Sequence, residues 1–216
     1  MNSLDVKLPE HQAIYLEIRN RILFGNLLPG QPVTIQGLAD AIGAGMTPVR
    51  EAIRRLCAEG ALEAGGNRRV RVPEMTAARL AEIAFARQAV EPRMAERATT
   101  RITPEVLDAL TSLDAEVDAA IADGDVSRYL EFNYRFHFTL YELADMPVLA
   151  QIAASLWLRM GPALRIVCGR MGTLNLPDKH SETLDALARR DAARTATAIA
   201  EDIAQGLGQV AATLPD

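Results

Sequence analysis

Three histidines occur in the chain, and two of them have neighbours suited to metal chemistry. His137 follows Asn133 by four residues, which puts both side chains on one face of a helix. His180 opens a later helical segment, and Asp202 lies 22 residues beyond it on the next. If those two helices run antiparallel, His180 and Asp202 can meet. Two imidazoles, a carboxylate and an amide oxygen form a donor set for Zn²⁺, Mn²⁺ or Ni²⁺. Spacing alone leaves a plainer reading open, in which His137 is a hydrogen-bonded core or surface histidine. Arg87 precedes Glu91 by four residues, so it is either half of an ion pair or a clamp for a ligand carboxylate. Arg159 and Arg165 flank a Gly-Pro step in the apolar run WLRMGPALRIV. Arginines are rarely buried without a partner, so one of them is expected to face a cavity. Tyr134, Phe136 and Trp157 could line that cavity or simply pack in the core.

A second constellation lies between Thr34 and Val72, in TIQGLADAIGAGMTPVREAIRRLCAEGALEAGGNRRVRV. Ile35, Leu38, Ala39 and Ile42 recur at helical spacing, with Thr34 placed to cap the start. Gly43 and Gly45 then make a turn in which positive φ is cheap. A second helix follows, with Thr47 expected as its cap and Pro48 in its first turn. Val49, Ile53 and Leu56 point inward. Thr47, Arg50 and Arg54 share another face, where guanidinium groups can bridge guanine O6 and N7 or clamp phosphate. Arg55 flanks that face and suits the DNA backbone. A bland alternative is a solvated surface with an Arg55–Glu51 pair. Two β-like segments, Ala61–Glu63 and Arg69–Val72, enclose a tip at Gly65, Gly66 and Asn67, with Arg68 beside it. A basic tip suits the minor groove or phosphate. Residues 47–71 hold six arginines against Glu51, Glu59 and Glu63, a local charge of the kind a DNA footprint shows. The order helix, turn, helix, wing predicts a winged helix-turn-helix, with Thr34, Gln36, Thr47, Arg50, Arg54, Arg55, Gly66, Asn67 and Arg68 at the DNA.

These groups need elements to hold them. An amphipathic helix is predicted over 12–24, followed by a turn at Pro29-Gly30. Pro73 to Thr76 is the expected junction, dividing a DNA-binding unit, 1–74, from an all-helical unit, 75–216. The second unit reads as six helices near 76–99, 104–123, 125–143, 147–170, 179–190 and 192–212, with a kink at Gly161-Pro162. The fold class is mainly α, a winged helix-turn-helix followed by a helical bundle large enough to enclose a pocket.

The formal charge of −5 is unevenly spread over the 216 residues. Through Glu74 there are 9 basic and 8 acidic residues, and beyond it 14 and 20. The acidic excess lies in the helical part, which is therefore not expected to touch DNA. No apolar run is long enough to span a bilayer. The opening MNSLDVKLPEHQ lacks the basic and apolar regions of a signal peptide, and Cys57 and Cys168 form no metal or disulfide motif. A cytoplasmic setting is expected.

The segment LADAIGAGMTPVREAIRRLCAEGAL, preceded by ILFGNLLPGQPV, resembles the N-terminal domain of GntR-family transcription regulators. The helical part resembles the FCD domain of the FadR-type branch. The resemblance implies a metal site in which Asn133 and His137, in NYRFH, match the first pair of ligands. His180, in KHSETLDAL, matches the third, and Asp202 stands where the family usually has His. It also implies that Arg87, in AFARQAVEP, faces an effector pocket; Arg159, Arg165 and Tyr134, from the reading of the apolar helices above, are the other effector-binding candidates. The implied effector is a small carboxylate metabolite. Gly45-Met46 departs from the Ser-Arg that often precedes Thr-Pro, and Arg69 replaces a common wing Gly. The implied protein is a homodimeric, ligand-responsive repressor acting on palindromic operator DNA, with no catalytic residues. Two competing readings are a metal-dependent hydrolase using His137, His180 and Asp202, and a DNA-binding protein without an effector.

Overall fold

The computed structural model describes residues 8–65, 69–171 and 178–214. Among them are nine helices and three short strands. The chain opens with α1 (Glu10–Leu23), β1 (Pro32–Val33), α2 (Ile35–Ile42), α3 (Met46–Ala58), β2 (Glu63–Ala64) and β3 (Val70–Arg71). There follow α4 (Ala77–Thr99), α5 (Pro104–Asp123), α6 (Val126–Leu143), α7 (Pro147–Met171), α8 (Lys179–Ala188) and α9 (Ala192–Ala211). The winged helix-turn-helix and the helical bundle predicted from the sequence are both present.

Local chemistry explains most boundaries. Thr34 caps α2 by accepting from the Gly37 N–H at 3.0 Å. Gly43 ends α2 at φ 65°, a left-handed conformation that a Cβ disfavours. The turn departs from expectation at its far end. Gly45, in extended backbone, is the N-cap of α3, and Thr47 lies one residue inside the helix. The reason is that α3 begins a residue before the Thr-Pro pair, so Thr47 is past the position from which a side chain can cap. Thr76, Thr103, Asp125, Asp178 and Asp191 cap α4, α5, α6, α8 and α9, each accepting from the N–H three residues on.

In the N-terminal part α1 packs on α3, and α2 on α3. Ile18, Ile22, Val49 and Leu56 are fully buried there. The strands form one antiparallel sheet in the order β1-β3-β2. Val70 lies opposite Val33 on one side and Ala64 on the other. Gly65 donates to the Arg69 carbonyl at 2.6 Å and closes the wing. Its tip residues Gly66, Asn67 and Arg68, all expected at the DNA, lie outside the described residues.

In the C-terminal part α4 lies along α9, α5 along α6, and α8 along α9, while α7 packs on α4, α6 and α9. Pro92 in α4 and Pro162 in α7 sit inside continuous helices. Helix α7 also packs on α1, so it touches both parts of the chain. A Cβ on Gly161 would lie 2.1 Å from the Leu23 carbonyl oxygen, which shows how closely α7 approaches the end of α1. No described helix is long and apolar enough to cross a membrane.

Candidate functional site

The exposed face of α3 comes first in the chain. Thr47, Arg50 and Arg54 are exposed on it, while Val49, Ala52, Ile53 and Leu56 are buried behind. Among the described residues Arg50 has no ion-pair partner. Arg54 pairs with Glu51 at 2.8 Å, and both side chains remain well exposed. The partner of Glu51 is thus Arg54 and not the Arg55 expected in the bland alternative. Arg55 instead turns toward α1: it bonds Glu59 at 2.9 Å and Gln12 at 3.3 Å, and stacks 3.6 Å above the Tyr15 ring. Tyr15 donates to the same Glu59 at 2.8 Å. Arg55 thus braces α3 against α1 while keeping about half of its side-chain surface exposed. Gln36, exposed on α2, donates to Asp40 at 2.7 Å. Glu63 on the wing pairs with Arg71 at 2.7 Å and with Arg79 of α4 at 3.2 Å.

The second site is inside the bundle. His137 from α6, His180 from α8 and Asp202 from α9 bring three potential ligand atoms within 4.8 Å of one another. His137 Nε2 lies 3.2 Å from Asp202 Oδ2, and 3.4 Å from His180 Nε2. His137 is fully buried, and Asp202 keeps 22 % of its side-chain surface exposed. Asn133 sits one turn before His137 on α6, half-buried. Phe136 stacks on the His180 ring at 4.0 Å and fixes its plane.

The hydrogen-bond network assigns the ring protons. His180 Nδ1 faces Asp114 Oδ1 at 2.9 Å, so that nitrogen is the donor. His137 Nδ1 lies 3.1 Å from the Tyr141 oxygen. Tyr141 donates its own proton to Glu91 Oε2 at 2.8 Å, so His137 Nδ1 must donate too. Both neutral rings then direct bare Nε2 lone pairs at each other and at a carboxylate. Three acceptors meeting in a buried space require a cation, either a proton on one ring or a metal ion.

The electrostatics separate the two rings. Burial pulls the His180 pKa down, but the Asp114 hydrogen bond and the fields of Asp202 and Asp114 outweigh it, and the net shift is upward. For His137 burial dominates and the net shift is downward despite Asp202. Burial would raise Asp202, yet its contact with His137 and the charges of His180 and Arg87 hold it well below the usual carboxylate range. The donor set therefore fits a divalent transition metal. Two imidazoles oriented by second partners and one ionised carboxylate are competent ligands.

The effector candidates are not brought together. Arg87 is buried, and both of its bonds go to Glu91, at 2.6 and 3.1 Å. Its guanidinium also lies 4.4 Å from the centre of the Trp157 ring. Burial disfavours its charge, but Glu91 more than compensates and raises its pKa. The clamp expected of Arg87 is thus already closed on an internal carboxylate. Arg159 donates to the Glu59 carbonyl at 3.0 and 3.2 Å, at the end of α3. Arg165 donates to Ser127 at 3.1 Å and lies against Gly25. Arg159 thus reaches across to the DNA-binding part, and Arg165 bonds α6 beside the turn after α1, because α7 packs on both parts of the chain. Tyr134 stacks on Phe138 at 4.1 Å, between Phe24 and Trp157. It belongs to an aromatic layer, one step removed from the cluster.

Asp114 escaped the sequence reading. It is one acidic residue among many on an exposed-looking helix, and no spacing relates it to His180. Glu91 as the acceptor for Tyr141 and Trp157 was also missed, because those contacts join residues 50 and 66 positions apart.

Comparison with known proteins adds an independent line. Residues 10–72 match the family described as bacterial regulatory proteins, gntR family, and residues 82–205 match the FCD domain. The HTH-type transcriptional regulator McbR of Escherichia coli strain K12 is 31 % identical over 159 residues, 72 % of each chain. The HTH-type transcriptional repressor RspR of the same strain is 28 % identical over 137 residues, 63 % of this chain and 60 % of that protein. A solved structure of E. coli McbR/YncC superposes with a TM-score of 0.88 at 26 % identity, covering 95 % of this chain and 99 % of that one. A putative GntR regulator from Rhodococcus sp. RHA1 shares the fold, with a TM-score of 0.78 at 19 % identity. Both halves of the chain, matched in this order to a DNA-binding module and its helical companion, place it among the bacterial transcription regulators of the GntR family that carry an FCD domain.

Proposed function

We propose that the chain is a homodimeric repressor whose grip on operator DNA responds to a small anion bound beside a metal in the helical part. Its DNA contacts would come from α3, through Thr47, Arg50 and Arg54, from Thr34 and Gln36 at the start of α2, and from the wing. The metal would be held by His137, His180 and Asp202, with Asn133 one turn away on α6. The observation that carries this reading is the meeting of His137 Nε2, His180 Nε2 and the Asp202 carboxylate in one buried space.

A bound divalent ion would supply a Lewis-acidic positive charge able to hold an anionic ligand. Asp114 and Tyr141 keep the two rings in the ligating tautomer. With Arg87 committed to Glu91, anion recognition falls to the metal site and not to that guanidinium. A small carboxylate is the effector class this chemistry favours. Helix α7 carries Trp157 beside the cluster and Arg159 on the α3 carbonyl, so displacement of α7 would reach the recognition helix. Repression is supported by the name of RspR, and a dimer by the two-fold operators that helix-turn-helix proteins read. A cytoplasmic setting follows from that role. The hydrolase reading lacks support, since the cluster's neighbours orient ligands and provide no separate acid–base pair.

The test is metal content by plasma emission after purification without chelator. The parent should carry about one divalent ion per chain, with His137→Ala and His180→Ala each losing most of it. Equal metal in parent and variants would remove the site. Arg50→Ala should abolish operator binding while leaving metal content unchanged.

A further inference from the structure

Helix α3 presents one large apolar side chain to solvent. Met46 is its first residue and is 52 % exposed. Its neighbours on the exposed face are polar or charged: Thr47, Arg50, Glu51 and Arg54. The N-cap is Gly45, which has no side chain to cover it. Met46 and Arg50 are four residues apart, so they share one face of the helix. Leaving a long apolar side chain in water there gains the isolated protein nothing.

The N-terminal residues of a recognition helix lie nearest the base edges. In the major groove the apolar feature of an unmodified base edge is the thymine 5-methyl group. We propose that Met46 is a specificity residue that reads a thymine methyl beside the guanine read by Arg50. Four residues of helix advance about 6 Å, so the thymine lies within about two base pairs of that guanine. Arg50 supplies the hydrogen-bonding part of the readout, and Met46 supplies an apolar contact whose flexible thioether adapts to the methyl. The proposal rests on α3 being the helix that enters the groove.

The test uses the full chain. Duplexes are selected from a random library, and each thymine of the enriched sequence is then replaced singly by uracil, which removes only the methyl. Affinities are measured by fluorescence anisotropy at one salt concentration. At one thymine per recognition site, uracil should weaken the parent by about four-fold, the worth of one buried methyl. Met46→Ala should bind more weakly and lose that sensitivity. Met46→Arg should enrich guanine at the same position. Indifference of the parent to uracil at every position, or undiminished sensitivity in Met46→Ala, would overturn the proposal. Arg50→Ala separates the two levels. If it keeps the parent's selected sequence and affinity, α3 is not the reading helix, and the failure lies with that assignment.

Discussion

At the residue scale, Glu91 shows what a buried charge requires. It is fully buried and accepts from Arg87, Tyr141 and Trp157. Removing its charge would leave Arg87 a buried cation without a counterion, and breaking such a pair costs about 3–5 kcal/mol. Glu91→Gln should therefore lower unfolding free energy by about that amount in urea titration. A loss near that of a surface substitution would mean that solvent reaches Arg87. Glu63 illustrates the opposite, half-exposed case. Burial favours its neutral form, but hydrogen bonds and charge from Arg79 and Arg71 prevail and lower its pKa. A lowered carboxylate pKa contributes stability that is full above the unfolded value, about 4.3, and fades as pH falls through the folded one. The stability difference between parent and Glu63→Gln, measured by thermal melting, should be present at pH 6 and shrink as pH falls below the unfolded value, about 4.3, and on through the folded one.

At the element scale, α7 decides how the two parts of the chain meet. Its Trp157 donates to Glu91 at 3.0 Å, two residues before Arg159 reaches the α3 carbonyl. Two residues further on, Gly161 lies against the Leu23 carbonyl with no room for a methyl group. The obstacle is backbone, which cannot rotate aside as a side chain could. Gly161→Ala should therefore push α1 from α7, cost about 1–3 kcal/mol, and lower the melting temperature. Metal content should be retained, because His137, His180 and Asp202 lie on other helices. A fully stable variant would show that α7 and α1 separate freely in solution.

At the scale of the whole molecule, charge is segregated along the chain. The basic face of α3 and the wing belong to a part near neutrality, while the helical part carries the acidic excess. Attraction to DNA is thus confined to one surface, and the remainder is repelled from phosphate. Operator affinity should fall linearly with the logarithm of salt concentration, with a slope set by the few arginines in contact. Arg54→Ala should reduce that slope by about one per recognition site if Arg54 meets phosphate, and leave it unchanged if it stays with Glu51.

The sequence determined the elements. Apolar periodicity, capping Thr and Asp residues, and Gly or Pro punctuation are local, so the helices could be read from spacing to within a few residues. The face of α3 and the His137 turn were legible for the same reason, since residues four apart on a helix share a side whatever surrounds them. Tertiary structure decided what each long side chain touches. Arg55, Arg87, Arg159 and Arg165 all have reach enough for several partners, and only packing selected Tyr15, Glu91, the Glu59 carbonyl and Ser127. The meeting of His137, His180, Asp202 and Asp114 likewise depends on four helices crossing at one point, a relation that spacing along a single helix does not contain.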